Sequence, residues 1–324
     1  MDLTILKRKI FIYSGVNVIL RHLRKKPRIL FWHGVGTSVD SVICPEIFDV
    51  DIFKQQIEYL NLHYEIISIQ EFHKRLENNS FNGEEVLLTF DDGYANNLYV
   101  VEPILSKLKL PFTIFISTDN ISTGDLYPTS VNRLVTIASS LDSLSIPTLN
   151  QDFALNTKAN RISVAKHISR EMKSRPVDEV KSIVNDLMDN LPIDEWLRLR
   201  ERFKCLRPLN WNEVNQLAKN KQVTIGSHCK WHICCHENQN PDVIRDQIIS
   251  SKQIIEDQLQ INCDYFAYPN GSYTHYSVDC VNSTYKMGFS AETKTTVDHG
   301  NKSLLPRITG YISDMNLFKI LVSL

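Results

Sequence analysis

The chain has 324 residues, 43% of them hydrophobic and 23% charged. This is ordinary globular composition, which excludes a disordered chain, a collagen and a disulfide-knotted miniprotein. One large α/β domain or two medium ones would each bury a sizeable core. A net charge of −1 excludes nucleic-acid binding through bulk basicity.

The charge is unevenly placed. Residues 1–28 hold eight Lys/Arg against one acid, Asp2, and the rest of the chain is acidic. Leu3, Leu6, Ile10, Tyr13, Val16, Leu20 and Leu23 recur at three and four residues, which predicts an amphipathic helix over residues 1–27. The apolar run from Ile10 to Leu20 is far shorter than the roughly 20 residues a spanning helix needs. Arg21-His22-Leu23-Arg24-Lys25-Lys26 follows it, where a secretory signal would have a small-residue cleavage site. Such a helix either lies on an anionic membrane surface or packs on its own domain. Seven cysteines are an odd number, so a complete disulfide framework is impossible. A cytoplasmic location is expected, with peripheral contact at the inner face of the membrane through residues 1–27.

From Arg28 onward, short β-type runs alternate with helical stretches. Strands are expected at Arg28–Trp32, Glu85–Phe90, Phe112–Ile116, Gln222–Ile225 and Tyr265–Tyr268, near Phe289 and over Ser303–Ile308. Helices are expected around Ile52–Leu60, Ile69–Glu77, Leu98–Leu108, Trp211–Lys219, Pro241–Gln260 and Ser277–Thr284. Alternation of this kind implies a parallel sheet with crossover helices, open or closed into a barrel. Residues 122–205 break the pattern: they are polar and helix-rich (Ile162–Lys173, Val177–Asn190, Asp194–Phe203), lack convincing strands, and read as a helical insertion.

Three strand ends carry chemistry. Thr89-Phe90-Asp91-Asp92-Gly93-Tyr94 leaves a strand with two adjacent carboxylates, which point in different directions and can do separate jobs. Taken alone, Asp-Asp-Gly is also simply good turn chemistry. Ile225-Gly226-Ser227-His228-Cys229-Lys230-Trp231-His232 places two histidines four apart, which one helical turn would bring onto one face. Joined by Asp92, they would form a two-His, one-carboxylate set with open positions, the build of a catalytic metal site. A structural zinc site drawn from His228, Cys229, His232, Cys234, Cys235 and His236 is the rival, although vicinal Cys234-Cys235 lacks the usual ligand separation. Tyr265 to Tyr273 contains Pro269-Asn270-Gly271, a turn that can present a backbone N–H.

Together, these three motifs in this order resemble the polysaccharide deacetylase family of metal-dependent carbohydrate esterases, over about residues 28–310. The resemblance implies a distorted (β/α) barrel of about seven parallel strands, carrying the helical insertion, and a divalent metal, Zn2+ or another transition ion. It implies removal of N-acetyl groups from the amino sugars of a glycan or a lipid-linked precursor, as in cell-envelope polysaccharide. Asp91 then stands as catalytic base, Asp92, His228 and His232 as metal ligands, and the Asn270 N–H as an oxyanion donor. Many members carry an arginine where this chain has Ala267, and Arg307 is the candidate to replace it. Cys229 stands where a hydroxyl residue is usual. The general acid is expected from His33 in Trp32-His33-Gly34-Val35, with His299 as competitor; the other reading of His33 is a hydrogen-bonded core histidine. Trp32, Tyr94, Tyr268 and Trp231 are candidates to stack on a sugar ring. Two alternatives remain: a glycan-binding pseudoenzyme, and a metal-dependent amidase on a non-sugar substrate.

Overall fold

The structure is a computed structural model describing residues 26–37, 40–292 and 300–323. Seven short strands form its centre: β1 (Arg28–Trp32), β2 (Glu85–Phe90), β3 (Phe112–Ile116), β4 (Val223–Ser227), β5 (Tyr265–Ala267), β6 (Met287–Phe289) and β7 (Ile308–Thr309). They run in the order β6-β5-β4-β3-β2-β1-β7, every pairing parallel. The strands are continuous apolar runs because both faces are covered. The two outer strands meet. Phe289 bridges to Leu305 just before β7, with Leu305 N donating to Gly288 O at 2.8 Å and Ser290 N to Leu305 O at 2.9 Å. The sheet is therefore the distorted barrel expected. A two-residue strand at Glu65–Ile66 adds to β2.

Helices form the outer layer, and several start where a polar side chain satisfies the first N–H groups. Ser68 caps Ile69–Glu77, Asn240 caps Pro241–Leu259, and Asn210 with Glu213 makes a capping box on Trp211–Ala218. The helix expected from Leu98 begins instead as a π-helical turn, Asn97–Val101, before Glu102–Lys107. Pro103 has no N–H to donate, so the hydrogen-bond register changes beside it.

Between β3 and β4 the chain builds a second apolar cluster, centred on Ile168, Ile183, Leu187 and Leu134. Its helices include α1 (Lys158–Ser174), α2 (Val177–Asp189) and α3 (Ile193–Arg202). Strands do occur here, contrary to expectation: Ser143–Ile146 pairs antiparallel with Gln151–Ala154. Four-residue strands with mostly exposed side chains carry little apolar signal, and Asn150 at φ 52° turns the hairpin.

Register positions the site. Trp32 lies opposite Phe90, Phe90 opposite Ile114, Ile116 opposite Ser227, and Ser227 opposite Phe266. The residues just past these strands, His33, Asp91, His228 and Tyr268 to Pro269, thus gather at the C-terminal rim. Active sites of parallel barrels form at that rim. No helix among the described residues is long and apolar enough to cross a membrane. The expected N-terminal helix and His299 lie outside the described residues.

Candidate metal and catalytic site

Asp91 and Asp92 leave β2 in opposite senses. Asp91 continues the strand, its N–H bonded to Trp32 O at 2.9 Å, whereas Asp92 turns at φ 72° and Gly93 at φ 71°. A Cβ at Gly93 would sit 2.7 Å from Ile116 Cγ2, so only glycine passes there. The turn swings Asp92 toward β4.

There it meets the histidines. His228 Nε2 and His232 Nε2 stand 3.4 Å and 3.1 Å from Asp92 Oδ1, and the two imidazole centres are 5.0 Å apart. The histidine pair does not sit on a helical turn as expected. Cys229 (φ 64°) and His232 (φ 50°) are left-handed, and this tight turn brings the rings together instead. Gly226 lets β4 approach its neighbours, since a Cβ would meet the Phe115 ring at 2.5 Å and Tyr265 O at 2.9 Å. His228 Nδ1 donates to Ala267 O at 2.7 Å, which fixes the ring with Nε2 facing Asp92. Burial pushes His232 toward its neutral form. Burial opposes the charge on Asp92, but the adjacent imidazoles outweigh it and hold its carboxyl well below the usual range. The Tyr127 hydroxyl donates to Asp92 O, and its ring packs edge-on against His232.

These three residues fit a divalent metal. Their ligand atoms lie within 4.8 Å of one another, and Asp92 Oδ1 is buried with no hydrogen-bond partner, an arrangement costly without a cation. No other His/Cys/Asp/Glu cluster of this kind exists among the described residues, so the rival zinc set is not assembled. All seven cysteines are free.

Asp91 has a different partner. Arg307 Nη1 and Nη2 grip its two oxygens at 2.8 Å and 2.6 Å, while Nε donates to Ser290 O at 2.9 Å. Both residues are buried, and the guanidinium rests on the Phe31 ring, 4.6 Å from its centre. Burial would raise the Asp91 carboxyl, but the guanidinium outweighs it and keeps the group below the ordinary range.

His33 follows β1. Its N–H donates to the Tyr311 hydroxyl at 2.8 Å, and its Nδ1 lies 3.0 Å from the same oxygen. That hydroxyl donates its only proton to Glu46 O, so it can only accept from His33. Nδ1 therefore carries a proton, and Nε2 is the atom left for chemistry. Sequence reading missed Tyr311 and Tyr127: nothing in their local pattern marks them, and only the fold brings them to the rim.

Asn270 adopts φ 54° in the Pro269–Gly271 turn, and its side chain donates to Cys234 Sγ at 3.3 Å. Among the described residues its backbone N–H has no internal acceptor. With His232, Trp231, Cys234 and Met172 it lines one pocket. The stacking candidates divide. Trp32 is core, stacked on Phe90 and bonded to Gln56; Tyr94 and Tyr268 are equally inaccessible, Tyr268 bonded to Ser303 O. Only Trp231 is half-exposed at the pocket.

Residues 78–290 match the family model for polysaccharide deacetylase, about two thirds of the chain, and the chain belongs to that family. Solved structures share the fold. The deacetylase PplD of Streptococcus pyogenes, in complex with acetate, is 19% identical at a TM-score of 0.59, over 91% of this chain and 98% of that one. IcaB from Ammonifex degensii is 14% identical at 0.59, covering 92% and 96%. A de-N-acetylase from Aggregatibacter actinomycetemcomitans is 14% identical at 0.53, covering 91% and 99%. No curated protein matches the sequence.

Proposed function

We propose that the protein is a metal-dependent hydrolase that removes N-acetyl groups from the amino sugars of a glycan. The observation that carries this reading is the pairing of two separately held carboxylates at one rim: Asp92 with His228 and His232, and Asp91 with Arg307.

Asp92, His228 and His232 would hold Zn2+ or another divalent transition metal, which, when bound, makes water more acidic and polarises an acyl oxygen. Asp91 accepts the proton of the attacking water; kept ionised by Arg307, it is ready to do so across the neutral range. The Asn270 N–H stabilises the developing oxyanion. His33, with Nδ1–H anchored on Tyr311, delivers a proton from Nε2 to the departing amine. Acetate and a free amino sugar result. The arginine missing at position 267 was the reason to consider a binding-only protein, and Arg307 supplies its contact to Asp91, which favours the enzyme.

Zinc-reconstituted protein should release acetate from at least one member of a panel of N-acetylated oligosaccharides, and the Asp91→Asn variant should not. Release from non-sugar acetamides alone would replace the glycan reading with the amidase one. Binding of oligosaccharides with no acetate release would make the protein a binding module.

A further inference from the structure

A second groove, of about 630 Å³, opens on the segment between β3 and β4, beside α1. Its floor is apolar, formed by Val42, Pro45, Ile137 and Ile162. Val42 is 38% exposed, although it heads a loop in an otherwise acidic body. Along one wall stand Lys166, Arg170 and Lys173, spaced i, i+4 and i+7 on α1, so they share one face over roughly 10 Å. All three are exposed, none makes an ion pair among the described residues, and no acid lines the groove. The fourth cation, Arg133, is already paired with Glu46. Three unneutralised cations beside an apolar floor match a ligand with an aliphatic part and a multiply charged anionic head.

Lys173 decides which such ligand. It also lines the pocket that contains His232 and Asn270, so the groove and the candidate catalytic site share this side chain as a common wall. We infer that the groove binds the aliphatic phosphate end of a lipid-linked glycan substrate, the phosphate against Lys166, Arg170 and Lys173 and the chain on the Val42–Ile137–Ile162 floor. This inference rests on the proposed deacetylase activity for the sugar end of the substrate. A bilayer would need an open face rather than a groove. The chain's own basic N-terminal arm would meet like charge there.

The test uses the full-length protein and dodecyl phosphate below its micelle concentration, followed by calorimetry. Saturable binding is expected, about tenfold or more weaker in the surface double variant Lys166→Gln/Arg170→Gln and weakened again by Val42→Glu. Both variants should release acetate from a soluble N-acetylated oligosaccharide at the wild-type rate. An N-acetylated sugar carrying an aliphatic phosphate should show a lower KM than its lipid-free counterpart, and the double variant should abolish that difference. Equal binding of inorganic phosphate or dodecyl maltoside, or unchanged binding in both variants, overturns the groove. Variant-sensitive binding to phosphatidylglycerol vesicles without binding of monomeric dodecyl phosphate makes it a bilayer contact and overturns the substrate role. No acetate release from any substrate would defeat the deacetylase reading, while the dodecyl phosphate titration would still report on the groove.

Discussion

Adjacent aspartates of one type differ in what they touch. Asp91 faces a guanidinium and Asp92 faces two imidazoles, so removing each should fail differently. Asp91→Asn should keep its metal, by elemental analysis, and lose on the order of 10²–10⁴ in rate. Asp92→Ala should lose metal and activity together. Arg307→Met would leave the Asp91 carboxylate buried and unpaired, which costs about 3–5 kcal/mol at neutral pH. The sign with pH follows from the lowered Asp91 value. The pair's contribution is full above the unfolded carboxyl value, near 3.9, and fades as pH falls through the folded one. Urea denaturation should therefore show a smaller difference between wild type and Arg307→Met at pH 3 than at pH 7. His33→Ala should slow amide substrates more than activated acetate esters, because an amine leaving group needs the proton and a good one does not. An equal loss on both would assign the proton elsewhere.

At the scale of elements, the candidate ligands come from two strand ends, Asp92 after β2 and the histidines after β4, with β3 between them. A bound metal ties these loops across β3 and should stabilise the fold by mass action, about 2.7 kcal/mol at 100-fold excess over Kd. Chelation should lower the thermal midpoint of the wild type and leave that of Asp92→Ala unchanged. The strands themselves were readable from the sequence because both faces are buried: Arg28–Trp32, Glu85–Phe90 and Phe112–Ile116 lie where their apolar runs place them. The hairpin at Ser143–Ala154 was not, because most of its strand side chains face water and its pairing rather than its composition makes it a sheet.

For the whole molecule, the acidic body and the basic first 28 residues make a testable contrast. Near an anionic membrane each Lys or Arg contributes about 1 kcal/mol, and seven lie within residues 1–27. The full-length protein should sediment with anionic vesicles at low salt and be released as salt screens the attraction. A chain beginning near Arg28 should stay active on soluble substrate and not sediment. Unfolding of that shorter chain would instead make the helix part of the fold.

The sequence alone determined the alternation that makes a parallel sheet, open or closed, and the three strand-end motifs, since each is a local pattern of side chains and turn residues. It also raised Arg307 and His33 as candidates, through resemblance rather than through any local signal. Only the tertiary structure decided their partners. Arg307 lies 216 residues from Asp91, and Tyr311 lies 278 residues from His33. Closure of the barrel at β7 beside β1 brings both pairs together. The same packing put Trp32, Tyr94 and Tyr268 in the core, because a strand sequence shows that a side chain is apolar but not whether another layer covers it. The His228–His232 pair joins both levels: its spacing was visible, yet the left-handed residues that converge the rings are a property of the folded turn.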